Sequence, residues 1–125
     1  MNIEYKLREI LMPILGIQTI EELGPEKSLV KDLGAESIDF VEILYMIETQ
    51  FGVKIKIQEI ALTEYSAQVD NLEGGKITAE IAAKMNEDFK TSKFEEGQSV
   101  KDLFESFTIR DFAVLIERKI NSQDK

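Results

Sequence analysis

The serine at position 37 is the residue whose surroundings say most about chemistry. It lies in Asp32-Leu33-Gly34-Ala35-Glu36-Ser37-Ile38-Asp39-Phe40-Val41-Glu42, at the head of an acidic, amphipathic run. A serine hydroxyl is a weak nucleophile unless an adjacent base takes its proton. The 125 residues contain no His and no Cys. That removes Ser-His-Asp triads, thiolate nucleophiles, disulfides, and imidazole or thiolate metal ligands together. Acid-base work would fall to carboxylates, Lys or Tyr, none of which titrates near neutrality by default. A serine so placed fits the substrate of another enzyme better than a catalytic nucleophile. The start of a helix also favours an anionic group, because its unpaired N–H groups and dipole attract anionic oxygen. The plainer reading is that Ser37 only caps the helix.

A second constellation is Asp70, Gly75 and Ile77, which fall at positions one, six and eight of an EF-hand loop. Positions three and twelve are Leu72 and Ile81, where calcium needs oxygen ligands. A calcium binder is therefore a minor alternative, and no metal site is expected.

The element that must position Ser37 is a helix from Ser37 to Phe51, stopped by Gly52. Spaced at 100° per residue, Phe40, Ile43, Leu44, Ile47 and Phe51 fall on one face, which should meet the core. Ile38, Val41 and Tyr45 fall almost opposite, flanked by Glu42 and Glu48, with Asp39 and Met46 farther around. An apolar strip with acidic edges suits docking, since carboxylates steer a basic partner and the strip holds it. The competing reading buries the helix on both sides.

Other elements follow from spacing and punctuation. Ile3, Leu7, Ile10, Leu11 and Ile14 mark a first helix from Asn2, its N-cap, to about Leu15. Pro13 should kink or end it near Met12, with Gly16 terminating whatever follows. Residues 17–35 form a long loop with anchors at Ile20, Leu23, Leu29 and Leu33 and a short turn over Thr19–Leu23. Val53–Ile57 alternates as an extended connector, with Lys54 and Lys56 pointing away from its apolar side. Beyond it, 59–69 reads as helical, 70–75 as a turn, and Thr78 as the cap of a helix to about Phe89. Residues 91–97 are loop-like. Ser99 and Thr108 each precede an acid by three residues, Asp102 and Asp111, and so open a short helix and a final one. The final helix buries Phe112, Leu115, Ile116 and Ile120, and 121–125 is expected to fray.

The stretch from Asp32 to Glu42 resembles the attachment motif of the acyl carrier protein family, a D-L-G followed by D-S-L and an acidic helix. The likeness continues through Ile43–Ile57 and resumes at Thr108–Ile120, with a looser match at the first helix. It implies an all-α, four-helix bundle. It further implies that Ser37 carries 4′-phosphopantetheine as a phosphodiester, beside Asp32, Leu33, Gly34 and Glu36. Partner enzymes would read Asp39, Glu42 and Glu48 together with Ile38, Val41 and Tyr45. Two positions depart: Glu36 stands where the family usually has Asp, and Ile38 where it has Leu. The resemblance implies a non-catalytic phosphoprotein that holds an acyl group as a thioester for lipid or secondary-metabolite synthesis. Its partners would be a phosphopantetheinyl transferase and basic-faced acyl synthases and transferases. The rival class is an acidic helical adaptor with an unmodified serine.

About fifty residues, 58–107, stand where such carriers have a short connection, and form an additional helical insert. Its Asn71–Thr78 turn is faintly similar to longer carriers that handle very long acyl chains. The simpler reading is an excursion with its own small core from Leu62, Leu72, Ile77, Ile81, Met85 and Phe89. Phe89, Phe94, Phe104 and Phe107 raise a further expectation, that the insert enlarges the space for a bound chain.

Length and composition agree with one domain over 1–125. Hydrophobic residues make up 43% and the formal charge is −9. That charge disfavours nucleic acid and anionic membrane surfaces. No apolar run is long enough to span a bilayer, and the N-terminus has no signal core, so a cytoplasmic monomer is expected.

Overall fold

The first helix, α1 (Ile3–Leu15), begins where Asn2 Oδ1 accepts a hydrogen bond from the Tyr5 N–H at 2.9 Å. In this computed structural model, which describes residues 2–56 and 76–123, α1 buries Leu7, Ile10 and Leu11. The expected break near Met12 does not occur, and the helix continues to Leu15 with Pro13 inside it. Pro13 is exposed and lies in the last turn, so the missing donor removes only one bond of the ladder. Closure comes at Gly16, at φ 70°, where the Gly16 and Ile17 N–H groups both donate to the Met12 carbonyl.

The following connector is irregular but anchored. Its turn is a 3₁₀ segment, Ile20–Glu22, braced by Thr19, whose hydroxyl donates to Glu22 Oε2 at 3.1 Å. Leu23 and Leu29 are fully buried, Leu33 is partly so, and Ile20 stays outside the core. The second helix, α2 (Ser37–Phe51), has the expected bounds and ends at Gly52, at φ 72°. Phe40, Ile43 and Ile47 are buried, with Leu44 and Phe51 partly buried beside them. Val53 and Ile55 then point inward while Lys54 and Lys56 are exposed, as the alternation predicts.

Of the insert, the predicted helix over 59–69, the 70–75 turn, and Leu62 and Leu72 lie outside the described residues. The next helix, α3 (Ala79–Phe89), is capped by Thr78, whose Oγ1 accepts from the Ile81 N–H at 3.2 Å. Ser99 caps α4 (Val100–Glu105) in the same way, accepting from the Asp102 N–H at 3.0 Å. Thr108 and Asp111 open α5 (Ile109–Gln123) reciprocally, each side chain accepting the other's backbone N–H at 3.1 Å. This helix outlasts its predicted end at Ile120, so 121–123 is helical rather than frayed.

The bundle is all-α, and α1 packs against both α2 and α5 while α3 leans on α5. Among the described residues there is no strand, only isolated bridges at Ser28–Thr108 and Lys76–Ser99. Among the described residues, the insert shows no core separate from that of the bundle. Ile77, Ile81, Met85 and Phe89 belong to the same cluster as Leu7, Phe40 and Phe112. Aromatic rings make the join, running Phe94–Phe89–Phe107–Phe112 with centroids 6.0, 5.9 and 5.6 Å apart. No helix among the described residues is long and apolar enough to cross a membrane.

Candidate functional site

The loop that leads to Ser37 is built from its own polar side chains. Ser28 Oγ accepts from the Lys31 and Asp32 N–H groups, and Asp32 Oδ2 accepts from the Ser28 N–H at 2.8 Å. The carboxylate of Asp32 therefore closes a turn. Gly34 follows at φ 69°, with nothing within 4 Å of where a Cβ would stand, so glycine serves the left-handed backbone rather than a tight space. Ala35 is buried, and its N–H donates to the Leu29 carbonyl at 2.8 Å. The Leu29 N–H in turn donates to the Phe107 carbonyl at 3.1 Å, which ties the loop to the α4–α5 junction.

The cap of α2 is Glu36, not Ser37. Glu36 has extended backbone (φ −106°, ψ 168°), and its N–H donates to Asp39 Oδ2 at 2.9 Å. Ser37 is the first residue inside the helix. The plain-cap reading of the serine is thereby corrected: the orphan N–H at the entrance is served by the acid three residues on, a task that leaves position 37 free to vary.

The wet face of α2 is where the periodicity puts it. Ile38, Val41 and Tyr45 are 74%, 70% and 66% exposed, so the helix is not covered on both sides. Glu42 and Glu48 are exposed along the same strip, and Asp39 is half-buried at its N-terminal end. Exposed apolar side chains bordered by carboxylates are costly to leave wet without a function in contact. At the other end of the insert, Ile77 and Ile81 are buried, which places the eighth and twelfth EF-hand positions in the core. Among the described residues no group of acids could hold a metal ion.

With this geometry in view, the likeness to known proteins is decisive. The family described as "Phosphopantetheine attachment site" matches residues 6–72, just over half of the chain. The chain belongs to that family. Its relatives are acyl carrier proteins: one from Nitratidesulfovibrio vulgaris (strain DP4) is 46% identical over 55 residues, covering 44% of this chain and 71% of that protein. Another, from the Miyazaki F strain, is 44% identical over the same length. This acyl carrier therefore belongs among proteins that take a covalent 4′-phosphopantetheine and carry acyl groups without catalysing reactions themselves.

The residues present fit such an arm. Glu36 and Ile38, on either side of position 37, are exposed, and the first turn of a fifteen-residue helix favours an anionic phosphodiester. The chain has no thiol of its own, so the sulfur of a thioester must be brought by the arm.

Sequence reasoning missed the contacts that anchor this loop from afar. Ser28 carried a local signal, since it stands four residues before Asp32. The bond from Leu29 to Phe107 carried none, because nothing in local spacing pairs residues so far apart.

Proposed function

We propose that Ser37 is the attachment residue of this acyl carrier and that the exposed face of α2 is where its partner enzymes dock. The observation that carries the reading is the position of Ser37: first residue of α2, behind a loop held by Asp32, Gly34 and Ala35. In the transfer, the Ser37 hydroxyl oxygen bonds to the pantetheine-side phosphorus of coenzyme A. The phosphoanhydride bond to adenosine 3′,5′-bisphosphate breaks, and the hydroxyl proton passes to a base of the transferase. Once attached, the arm supplies the thiol on which an acyl group is held as a thioester.

Ile38, Val41 and Tyr45 would meet an apolar patch on each partner, while Asp39, Glu42 and Glu48 orient a basic surface towards it. Those partners are a phosphopantetheinyl transferase and the acyl synthases and transferases of lipid or secondary-metabolite synthesis. The carrier works as a cytoplasmic, single-domain monomer.

The absence of cysteine gives a clean test. Treated with coenzyme A and a phosphopantetheinyl transferase, the chain should pass from no reactive thiol to one per molecule. A chain that stays silent to a thiol reagent would instead be an unmodified acidic adaptor.

A further inference from the structure

The α4–α5 junction is held from two sides. On one side, residues 25–29 run along it: the Arg110 N–H donates to the Pro25 carbonyl at 3.0 Å and the Ile109 N–H to Lys27 at 3.0 Å. The Leu29 N–H donates back to Phe107, and Leu29 accepts from Ala35, two residues before Ser37. On the other side stands the insert. Lys93 donates to the Ser106 carbonyl at 3.2 Å and forms an ion pair with Asp111. Asp111 is 4% exposed, and the oxygen that meets Lys93, Oδ2, is the same atom that accepts from the Thr108 N–H. Thr108 in turn is bridged to Ser28.

Resting on the assignment of Ser37 as the attachment residue, we infer that Lys93 is a positioning residue for the loop that presents Ser37, through which the insert sets the efficiency of arm transfer. Among the described residues, no hydrogen bond or ion pair joins Lys93 to the Ser37 loop directly. Both grip residues 106–111, and the buried Asp111 makes the grip on the insert side hard to give up. A buried carboxylate needs a compensating cation, and among the described residues Lys93 is the one charged partner of Asp111. Removing that amine loosens Asp111, hence the Thr108 cap, hence the segment to which Leu29, and through it Ala35, is tied. The loop would then sample several positions, and a transferase would meet the productive one less often.

Two readouts test this on the full chain. Lys93→Met keeps the stem but removes the charge, Lys93→Arg restores it, and Lys84→Met removes the exposed Lys84–Asp88 pair of the same insert as a control. In Lys93→Met, amide hydrogen exchange at Leu29 and Ala35 should quicken about tenfold relative to Leu11 in α1, as expected of a local opening. The kcat/KM for arm transfer should fall by about fivefold or more, given how steeply rates depend on placement. Lys93→Arg should recover both, and Lys84→Met should change neither. Exchange that quickens equally at Leu29, Ala35 and Leu11 would mean a merely structural pair and overturn the inference, as would no change at all. If Lys93→Met does not fold, Asp111→Asn carries the same readouts, since it keeps an acceptor for Thr108 and loses the ion pair. Should the parent chain accept no arm, the Ser37 assignment fails, while the exchange pattern still decides whether Lys93 holds the loop.

Discussion

At the scale of single residues, the site depends on backbone conformation as much as on chemistry. Gly34 sits at φ 69° with open space where a side chain would be. Gly34→Ala should therefore lose about 1–2 kcal/mol in urea unfolding through the left-handed backbone alone. A variant as stable as the parent would mean the loop can relax into another turn. Ser37 is the opposite case. Because Asp39, not Ser37, serves the Glu36 N–H, replacing the serine by alanine should change stability by less than about 0.5 kcal/mol. Serine and its preceding acid both stand where a cap could be, so sequence alone did not separate Glu36 from Ser37.

At the scale of elements, α2 presents its chemistry on one face and its packing on the other. Periodicity revealed that division because it depends only on residue spacing along a single helix. The caps at Asn2, Thr78, Ser99 and Thr108 were legible for the same reason: each is a contact across three residues. Pro13 misled, since an exposed proline near a helix end removes one donor without forcing a stop. For the docking face, Glu42→Lys or Glu48→Lys should slow arm transfer and weaken its salt dependence, because exposed charges are screened over roughly 8–10 Å. Stopped-time assays across a salt series check this. Equal rates for both variants and the parent, with helicity unchanged, would place recognition on another surface.

At the scale of the whole molecule, the described part of the insert, from 76 onward, is part of the bundle rather than an ornament on it. Phe89 touches Phe94 and Phe107, and Phe107 touches Phe112 of α5, so three of the four rings expected to enlarge an acyl cavity instead pack on one another. Phe104 differs, being half-buried with its centroid 5.5 Å from Phe40, three residues after Ser37. None of this was visible in the sequence, because ring contacts across long separations leave no periodic trace. Phe89→Ala should cost about 3–5 kcal/mol by chemical denaturation, as for a large ring removed from a packed core. A loss near zero would mean the insert folds apart from the bundle. Loaded with short and long acyl groups, the carrier should gain thermal stability with chain length only as far as Phe104 yields, and Phe104→Ala should alter that dependence.

The measurement closest to the central claim is the intact mass of the parent chain and of Ser37→Ala after incubation with coenzyme A and a phosphopantetheinyl transferase. The parent should gain the mass of one phosphopantetheine, and Ser37→Ala, folded and equally stable, should gain none. A folded Ser37→Ala chain that still takes up the arm would contradict the assignment and move the attachment to another residue.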